Sequence, residues 1–327
     1  KTMSWSRYIQ SRLSGFEYRK RPAEMLKEGE AVAVGADRKR FPDFYAKYDA
    51  TQNLRIPLRD AVCVGPIAYT GGGEIARDIA NFKAGLSKTG NVTGFLPVVA
   101  PASAIPIHIE EHYKSIEEFL FAIADALNQE YRAVIAAGLH VQIDDAFLPY
   151  MYDRLVPPMS LADYRTWAAL RIEATNRALA GIPPERARYH ICWGSWNAPH
   201  TSDVPLKDIV DLILTLKVGG FAIEAANPRH EHEWTIWEDA MLRKALGERV
   251  LIPGVVAHTT NVVEHPELVA QRLVRFANLV GRENVMGGTD CGFAQGPFVQ
   301  RVHPSIQWAK LDALVEGARL ASTALWR

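Results

Sequence analysis

The chain has 327 residues with 37 basic and 37 acidic side chains, so its formal net charge is zero. Binding to nucleic acid or to anionic membranes needs a positive surplus, and this composition argues against both partners. No apolar run approaches the roughly 20 residues that cross a bilayer, and no secretory signal is visible. Three cysteines cannot form a disulfide framework. They predict a reducing, cytoplasmic setting and leave the thiols for metal binding or catalysis.

Short apolar runs alternate along the chain with segments of helical period, which is typical of α/β proteins. Their continuous apolarity predicts strands that are covered on both faces, as in a parallel sheet. The region before Ala61 offers no strand beyond a short AVAV stretch at 31–34. Seven strands are predicted, over 61–68, 94–100, 139–144, 188–193, 220–224, 250–256 and 284–289. Helices are predicted over 115–137, 161–179, 206–216, 266–280 and 306–325.

The strand pattern favours a (β/α)8 TIM barrel that forms one domain over residues 1–327. Such a barrel needs eight strands, so we expect the first strand to precede Lys1. An open doubly wound sheet is the alternative, but no Gly-rich phosphate motif follows any strand. The glycine run at 71–73 lacks the spacing of such a motif and is interpreted as a flexible loop.

Metal-ligating residue types fall at the predicted strand ends, where barrel proteins build their sites. His190 and Cys192 are two residues apart on one strand, so their side chains share a face. Glu224 ends the next strand, and Cys291 follows the last one. One His, two Cys and one Glu make a complete set of tetrahedral zinc ligands. Cys63, in an apolar run, is interpreted as an inert core residue.

These segments resemble a known family. HIC at 190–192, Glu224 at a strand end, GVVAHTTNVVEHPE at 254–267 and TDCGF at 289–293 resemble the catalytic domain of cobalamin-independent methionine synthase. They resemble its shorter single-domain relatives even more. VQIDDAFL at 141–148 and GPI at 65–67 are similar to two further strands of that family.

The resemblance covers most of the chain, from about Gly65 to Cys291. It implies the same barrel, with zinc held by His190, Cys192, Glu224 and Cys291. It also implies that a strand with substrate contacts lies ahead of Lys1.

The activity implied is alkyl transfer to a thiol that zinc holds as the thiolate. A free thiol is mostly protonated at neutral pH, and the thiolate is the nucleophile. By the resemblance, Asp144 holds the amino group of the thiol substrate. His258, in the loop after the strand predicted over 250–256, is the candidate general acid that protonates the leaving group. The expected reaction is therefore a methionine synthase-like methyl transfer.

Further residues are candidates for substrate binding. Trp193 and Trp196 flank the end of the zinc strand, where aromatic rings stack on flat substrates or pack beneath a loop. Arg229 and His230 lie in a dense polar run after Glu224, which is interpreted as a substrate-facing loop or as plain surface charge. The Thr and the pterin-stacking Trp of the family are missing after Gly65-Pro66-Ile67, where Tyr69 is the candidate substitute.

The alkyl donor therefore stays open, with methyl-tetrahydrofolate as one candidate. Epoxyalkane:coenzyme M transferases, another branch of the resemblance, open epoxides with a thiol on similar zinc ligation. A methyltransferase or demethylase with a non-folate donor is a further alternative, and a closed structural zinc site is the non-enzymatic one. The expected partners are a small thiol and an alkyl donor, and a homo-oligomer is compatible with the sequence.

Overall fold

The computed structural model describes residues 5–20, 35–51, 59–90, 92–105, 108–194, 197–293 and 301–327. The chain divides into two compact units, an N-terminal unit over Met3–Ile182 and a C-terminal unit over Pro183–Arg327. The single domain over residues 1–327 stays a prediction.

The N-terminal unit alternates helices and strands along its length. In chain order the elements are α1 (Trp5–Gln10), β1 (Phe16–Lys20), α2 (Ala36–Arg40), α3 (Pro42–Thr51), β2 (Arg59–Cys63), α4 (Gly72–Leu86), β3 (Phe95–Val99), α5 (Pro101–Ala104), β4 (His108–Glu110), α6 (Ile116–Ala136), β5 (His140–Asp145), α7 (Phe147–Tyr150), α8 (Tyr152–Leu155) and α9 (Leu161–Ala178).

Two sets of paired strands lie in the N-terminal unit. β2 pairs with β1 antiparallel and with β4 in parallel, and β3 pairs with β5 in parallel. The sequence analysis missed β1 and β4. β1 has one partly buried and four exposed residues, and β4 has three residues, so neither carries a buried apolar run. An antiparallel strand that leaves most side chains in solvent gives no such signal.

The helix α6 carries the core of the N-terminal unit. Ser115 caps its first turn by accepting a hydrogen bond from the amide of Glu118, and its apolar stripe buries Phe119, Ile123 and Leu127. The hydroxyl of Tyr131 on the same helix donates to the carbonyl of Val99 at the end of β3. This bond fixes the helix against the carboxyl end of a parallel strand.

The C-terminal unit contains four parallel strands in the order β6-β7-β8-β9. Each strand residue of β7 is buried, as expected for a parallel strand covered on both faces. In chain order the elements are β6 (Ala187–Ile191), α10 (Val210–Ile213), β7 (Gly220–Glu224), α11 (Ala240–Leu246), β8 (Val250–Val256), α12 (Pro266–Val280), β9 (Gly288–Thr289) and α13 (Pro304–Leu325), with 3-10 segments at Pro184–Arg186, Leu206–Asp208, Glu231–Glu238 and Arg282–Asn284.

All seven predicted strands are confirmed, with shifted ends, and the α/β class follows from them. The flexible loop expected at the glycine run is wrong, because Gly72 and Gly73 open helix α4. The AVAV stretch at 31–34 lies outside the described residues. Among the helices that the structure describes, none combines the length and the apolarity needed to span a bilayer.

Helices α12 and α13 pack so closely in the C-terminal unit that one position has room only for glycine. A Cβ at Gly317 would lie 2.4 Å from the Cβ of Val269 and 2.8 Å from the carbonyl oxygen of Pro266. Val269 belongs to a buried cluster with Val255, Val256, Leu273 and Ala321. The glycine therefore sets the distance at which α13 covers the core behind β8.

Gly317→Ala is expected to lower the free energy of unfolding by about 1–3 kcal/mol, because overpacking forces the helices apart. The matched control is Gly85→Ala in helix α4, where a Cβ would meet nothing within 4 Å. The control should be neutral or stabilising by up to about 1 kcal/mol, since alanine has the higher helix propensity. Urea unfolding of both variants measures the difference, and equal losses would contradict the packing argument.

Candidate metal centre

The predicted metal ligands lie at the same end of adjacent parallel strands in the C-terminal unit. Ile191 at the end of β6 pairs with Ile223 of β7, so Cys192 and Glu224 each come one residue later. On the far side, Glu224 is level with Gly254 of β8. Cys291 follows β9 by two residues. Parallel register therefore delivers these side chains to one end of the sheet.

Three of the four predicted ligands form a cluster. One donor atom each from His190, Cys192 and Cys291 lies within 4.8 Å of the other two. Atoms bound at about 2.0–2.3 Å to one zinc ion lie roughly 3.5 Å from one another, so the cluster is near the spacing of a metal site. His190 is 5% and Cys192 3% exposed, so these two donors are removed from solvent, whereas Cys291 is partly exposed.

The contact between Cys192 and Cys291 shifts the pKa values of the two thiols in opposite directions. The contact with Cys291 raises the pKa of Cys192, and burial adds to the shift. The same contact lowers the pKa of Cys291, against burial, and His190 lowers it further. The two sulfur atoms therefore interact directly, in surroundings that disfavour a thiolate on both at once. A cation beside them would favour the ionised forms.

Glu224 is the fourth predicted ligand, and it is 2% exposed. Its Oε2 atom accepts a hydrogen bond of 3.2 Å from the amide of Asn227, while Oε1 has no hydrogen-bond partner among the described residues. Burial, with the nearby Asp290 and Cys291, raises the pKa of the carboxyl. A buried carboxyl oxygen without a partner is costly. A cation bound beside Cys291 would satisfy it, but Glu224 is not in the cluster that the 4.8 Å spacing defines, so its place as the fourth ligand stays a prediction.

His258, the predicted general acid, is fully buried just after β8. Neither ring nitrogen has a hydrogen-bond partner within the described part of the chain. Burial lowers the pKa of His258 to about 4, although the thiolate of Cys291 opposes the shift. The ring is therefore neutral at pH 7, with one N–H to donate and one nitrogen to accept.

A buried ion pair fixes the loop that carries His258. Glu264 accepts a hydrogen bond of 2.9 Å from the amide of Ala257, the residue before His258. Lys310 of α13 is fully buried and donates to Glu264 Oε2 at 2.8 Å and to the carbonyl of Val262 at 2.5 Å. The backbone around His258 is thus held even though its ring makes no hydrogen bond to the described residues.

Asp290, next to Cys291, fixes a second loop. Its Oδ1 atom accepts hydrogen bonds from the backbone amides of Ala225 at 2.8 Å and Ala226 at 2.9 Å. Burial raises the pKa of Asp290 to about 7, against the two amides. A Cβ at Gly254 would lie 2.4 Å from the same oxygen, so only glycine lets β8 pass here. Asp290 thereby ties the segment after Glu224 to the segment that carries Cys291.

The structure places His230 and Trp193 away from solvent. Trp193 is fully buried and stacks on His230 with ring centroids 3.9 Å apart. Both nitrogens of His230 face carboxylates, Glu233 at Nδ1 and Asp203 at Nε2, each at 2.9 Å. Arg229 is exposed and donates to the carbonyl of Thr201. The substrate-binding roles predicted for these residues stay predictions.

The remaining predicted substrate residues differ in position. Asp144 is the penultimate residue of β5 in the N-terminal unit, where it accepts a hydrogen bond of 2.8 Å from Gln142. Its neighbour Asp145 ends the strand, points the opposite way and is buried. Tyr69, also in the N-terminal unit, donates to Glu130 at 2.6 Å. Trp196 lies outside the described residues.

Sequence reasoning missed the groups that fix the loops, chiefly Asp203, Glu233, Glu264, Asp290 and Lys310. Glu233 belongs to the polar run that was noticed, and Asp290 adjoins Cys291 in the TDCGF segment. Each of them has at least one partner that is 27 to 65 residues away in the sequence, so local spacing does not identify these contacts.

Two curated proteins show the relationships of the chain. It is 26% identical over 239 residues to 2-hydroxypropyl-CoM lyase of Xanthobacter autotrophicus, covering 65% of this chain and 57% of the relative. It is 24% identical over 233 residues to methionine synthase of Thermococcus kodakarensis, covering 71% and 58%. The chain thus spans less than two thirds of the length of these relatives. No protein-family model matches the chain.

A solved structure shows the fold. The B12-independent methionine synthase from Shewanella sp. W3-18-1, in complex with selenomethionine, superposes with a TM-score of 0.69 at 18% identity. The match covers 98% of this chain and 79% of that one. The resemblance stated from the sequence and the TIM-barrel-like α/β fold are both confirmed.

Lys310→Met is expected to lower the free energy of unfolding by about 3–5 kcal/mol, because it leaves the buried carboxylate of Glu264 without its counterion. Lys207→Met is the matched control, since Lys207 is exposed and pairs with its neighbour Asp208 at the surface. That surface pair should contribute no more than about 1 kcal/mol.

Urea unfolding measures both losses. The double variant Lys310→Met/Glu264→Gln should recover part of the loss, because the uncompensated charge is then gone. If Lys310→Met and Lys207→Met unfold alike, Lys310 does not hold the loop of His258.

Proposed function

We propose that the protein is a zinc-dependent alkyltransferase that activates a thiol substrate for attack on a methyl donor, in the manner of a methionine synthase. The observation that carries the proposal is the buried cluster of His190, Cys192 and Cys291 at the strand ends of the C-terminal unit. Glu224 is the fourth proposed ligand, since its Oε1 atom is buried without a described partner.

The donor set favours zinc among the common metals. Two thiolates and an imidazole suit zinc, whereas calcium and magnesium take oxygen ligands. When bound, zinc supplies the Lewis acidity that keeps a substrate thiol deprotonated at neutral pH. A carboxylate is the ligand most easily given up in such a set, so Glu224 is the proposed site of exchange with the incoming thiol.

The chain's own residues then have distinct proposed tasks. Asn227 holds one oxygen of Glu224 and Asp290 holds the backbone behind it, so the carboxylate keeps its direction. Burial of the donors excludes water, which would compete with a thiol nucleophile. The general-acid role of His258 stays a prediction: its ring is neutral at pH 7, so it has to take up a proton before it can give one to the leaving group.

The relatives support a thiol as the substrate. One is named for methionine and the other for 2-hydroxypropyl-CoM, and in both compounds an alkyl group is bonded to sulfur. The alternative function is therefore an epoxide-opening transferase with a coenzyme M-type thiol, supported by the similarity to the lyase. A methyltransferase or demethylase with a non-folate donor is the other alternative. The roles of Asp144, Tyr69 and Trp196 in binding the substrate stay predictions.

Metal content is the first test of the proposal. The purified protein should contain about one zinc ion per chain by mass spectrometry, and Cys291→Ser should lose it, because a hydroxyl is a far weaker ligand than a thiolate. Cys63→Ser is the matched control, since Cys63 is a buried cysteine of the N-terminal unit outside the cluster. A folded, reduced protein without zinc would exclude the proposed function, and equal zinc in both variants would exclude the proposed ligands.

Zinc-edge X-ray absorption with added thiols is the second test. The two cysteines of the cluster predict two sulfur neighbours for the resting metal, and the correct thiol should add a third. Homocysteine should do so if the protein is methionine synthase-like, and coenzyme M if the alternative holds. Product analysis with methyl-tetrahydrofolate or epoxypropane then separates the two reactions. An unchanged sulfur count with every thiol would contradict thiol activation.

A further inference from the structure

His230 is clamped between two carboxylates in the interior of the C-terminal unit. The residue is 3% exposed, and its Nδ1 and Nε2 atoms lie 2.9 Å from Glu233 Oε2 and Asp203 Oδ2. An ionised carboxylate only accepts hydrogen bonds, so each contact requires a proton on the facing ring nitrogen. The geometry therefore indicates an imidazolium that donates on both sides.

The charges around the ring agree with this state. Burial lowers the pKa of His230, but the bonds to Asp203 and Glu233 outweigh it and raise the value above the ordinary range. Asp203 also contacts His200 Nδ1 at 2.9 Å. The bonds from the two imidazoles lower the pKa of Asp203 although burial opposes them. With both nitrogens engaged by the protein, the ring has no polar atom left for a substrate.

The contacts of His230 with Trp193, Asp203 and Glu233, together called the clamp, connect it to the segment that carries Cys192. Trp193, the next residue, stacks its indole on the His230 ring at 22° between planes and donates to the carbonyl of Val204 at 2.7 Å. Asp203 lies just before Val204, and Glu233 accepts a hydrogen bond of 2.7 Å from the amide of Leu206. The segment that follows β6 is thus held to His230 by the ring of Trp193, by Asp203, and by the bond of Leu206 to Glu233.

His230 is also connected to Glu224. The backbone amide of His230 donates to the carbonyl of Asn227 at 2.9 Å, and the side chain of Asn227 donates to Glu224 Oε2. The turn between β7 and the 3-10 segment is closed by these bonds. His230 therefore joins the chain after β6 to the chain after β7, and each carries one proposed ligand.

We infer that His230 is a positioning residue that holds Cys192 and Glu224 in the arrangement a metal ion requires, and that it does not contact the substrate. The inference rests on the proposed metal site, which it deepens. Residues behind metal ligands orient them, and their loss weakens metal binding by about 10–100-fold. The same range is expected here, because the clamp acts on two ligands at once.

The test compares His230→Gln with His232→Gln in the full chain. Glutamine at position 230 offers an amide donor to one carboxylate but carries no charge and no flat ring for Trp193. His232 lies two residues along the same segment and is exposed, so it is the matched control. Zinc affinity, measured by chelator competition, should weaken about 10–100-fold in His230→Gln and stay unchanged in His232→Gln.

A second readout separates positioning from a general loss of stability. The visible absorption of the cobalt(II)-substituted protein reports the symmetry of the ligand set and needs no substrate. The spectrum should change in His230→Gln and not in His232→Gln. A variant with lower thermal stability but wild-type zinc affinity and cobalt spectrum would overturn the inference.

Asp203→Asn provides a milder break of the same clamp if His230→Gln does not fold. Asparagine keeps the size and one acceptor oxygen but removes the charge, so weaker zinc binding and an altered cobalt spectrum are expected again. Wild-type values in this folded variant would also overturn the inference. Zinc binding that is normal in the wild type and lost in Cys291→Ser, but unchanged in the clamp variants, leaves the proposed function standing. A wild-type chain without zinc overturns both.

Discussion

Acidic donor atoms meet with almost no solvent at the ends of four parallel strands, and this constraint shapes the C-terminal unit. Cys192 and Glu224 are buried there, Cys291 is partly exposed, and His190 is the one basic group in the donor set. Neighbouring acidic groups and burial raise the pKa of Cys192 and of Glu224, so a cation would favour their ionised forms. The acidic side chains of the cluster repel one another when they are ionised. The hydrogen bonds and ion pairs of the surrounding loops keep them in place.

Each loop near the cluster is held by a buried charged side chain from another segment. The loop after β6 is held by the contact of Asp203 with His230, the loop after β7 by Asp290, and the loop after β8 by the pair of Glu264 and Lys310. These bonds go largely to backbone amides or to buried partners, so the loops keep one conformation. Cys192 and Cys291 depend most directly on these loops, since β6 and β9 end before them, whereas His190 and Glu224 lie within β6 and β7.

The strands were predictable from the sequence, whereas the bonds that hold the loops were not. Continuous apolar runs reveal parallel strands because both faces are buried, and HIC reveals two candidate ligands because strand spacing puts them on one face. The ligand set of four residues stays a prediction. β1 was not predicted because its residues are largely exposed. The glycine run was wrongly predicted to be a flexible loop, although Gly72 begins a helix. Lys310 looks like any helical lysine in the sequence, and only the fold brings it to Glu264.

The proposed metal ligands do not by themselves identify the reaction. A His-Cys-Glu-Cys set follows from the chemistry of thiol activation, so it does not distinguish between a methyl donor and an epoxide. The two relatives match the chain at 26% and 24% identity, and their names point to different products. Under the proposed function, the donor atoms account for the activation of a thiol, while the choice of thiol and of alkyl donor rests with other residues. The substrate has to be found by binding experiments that start from the metal.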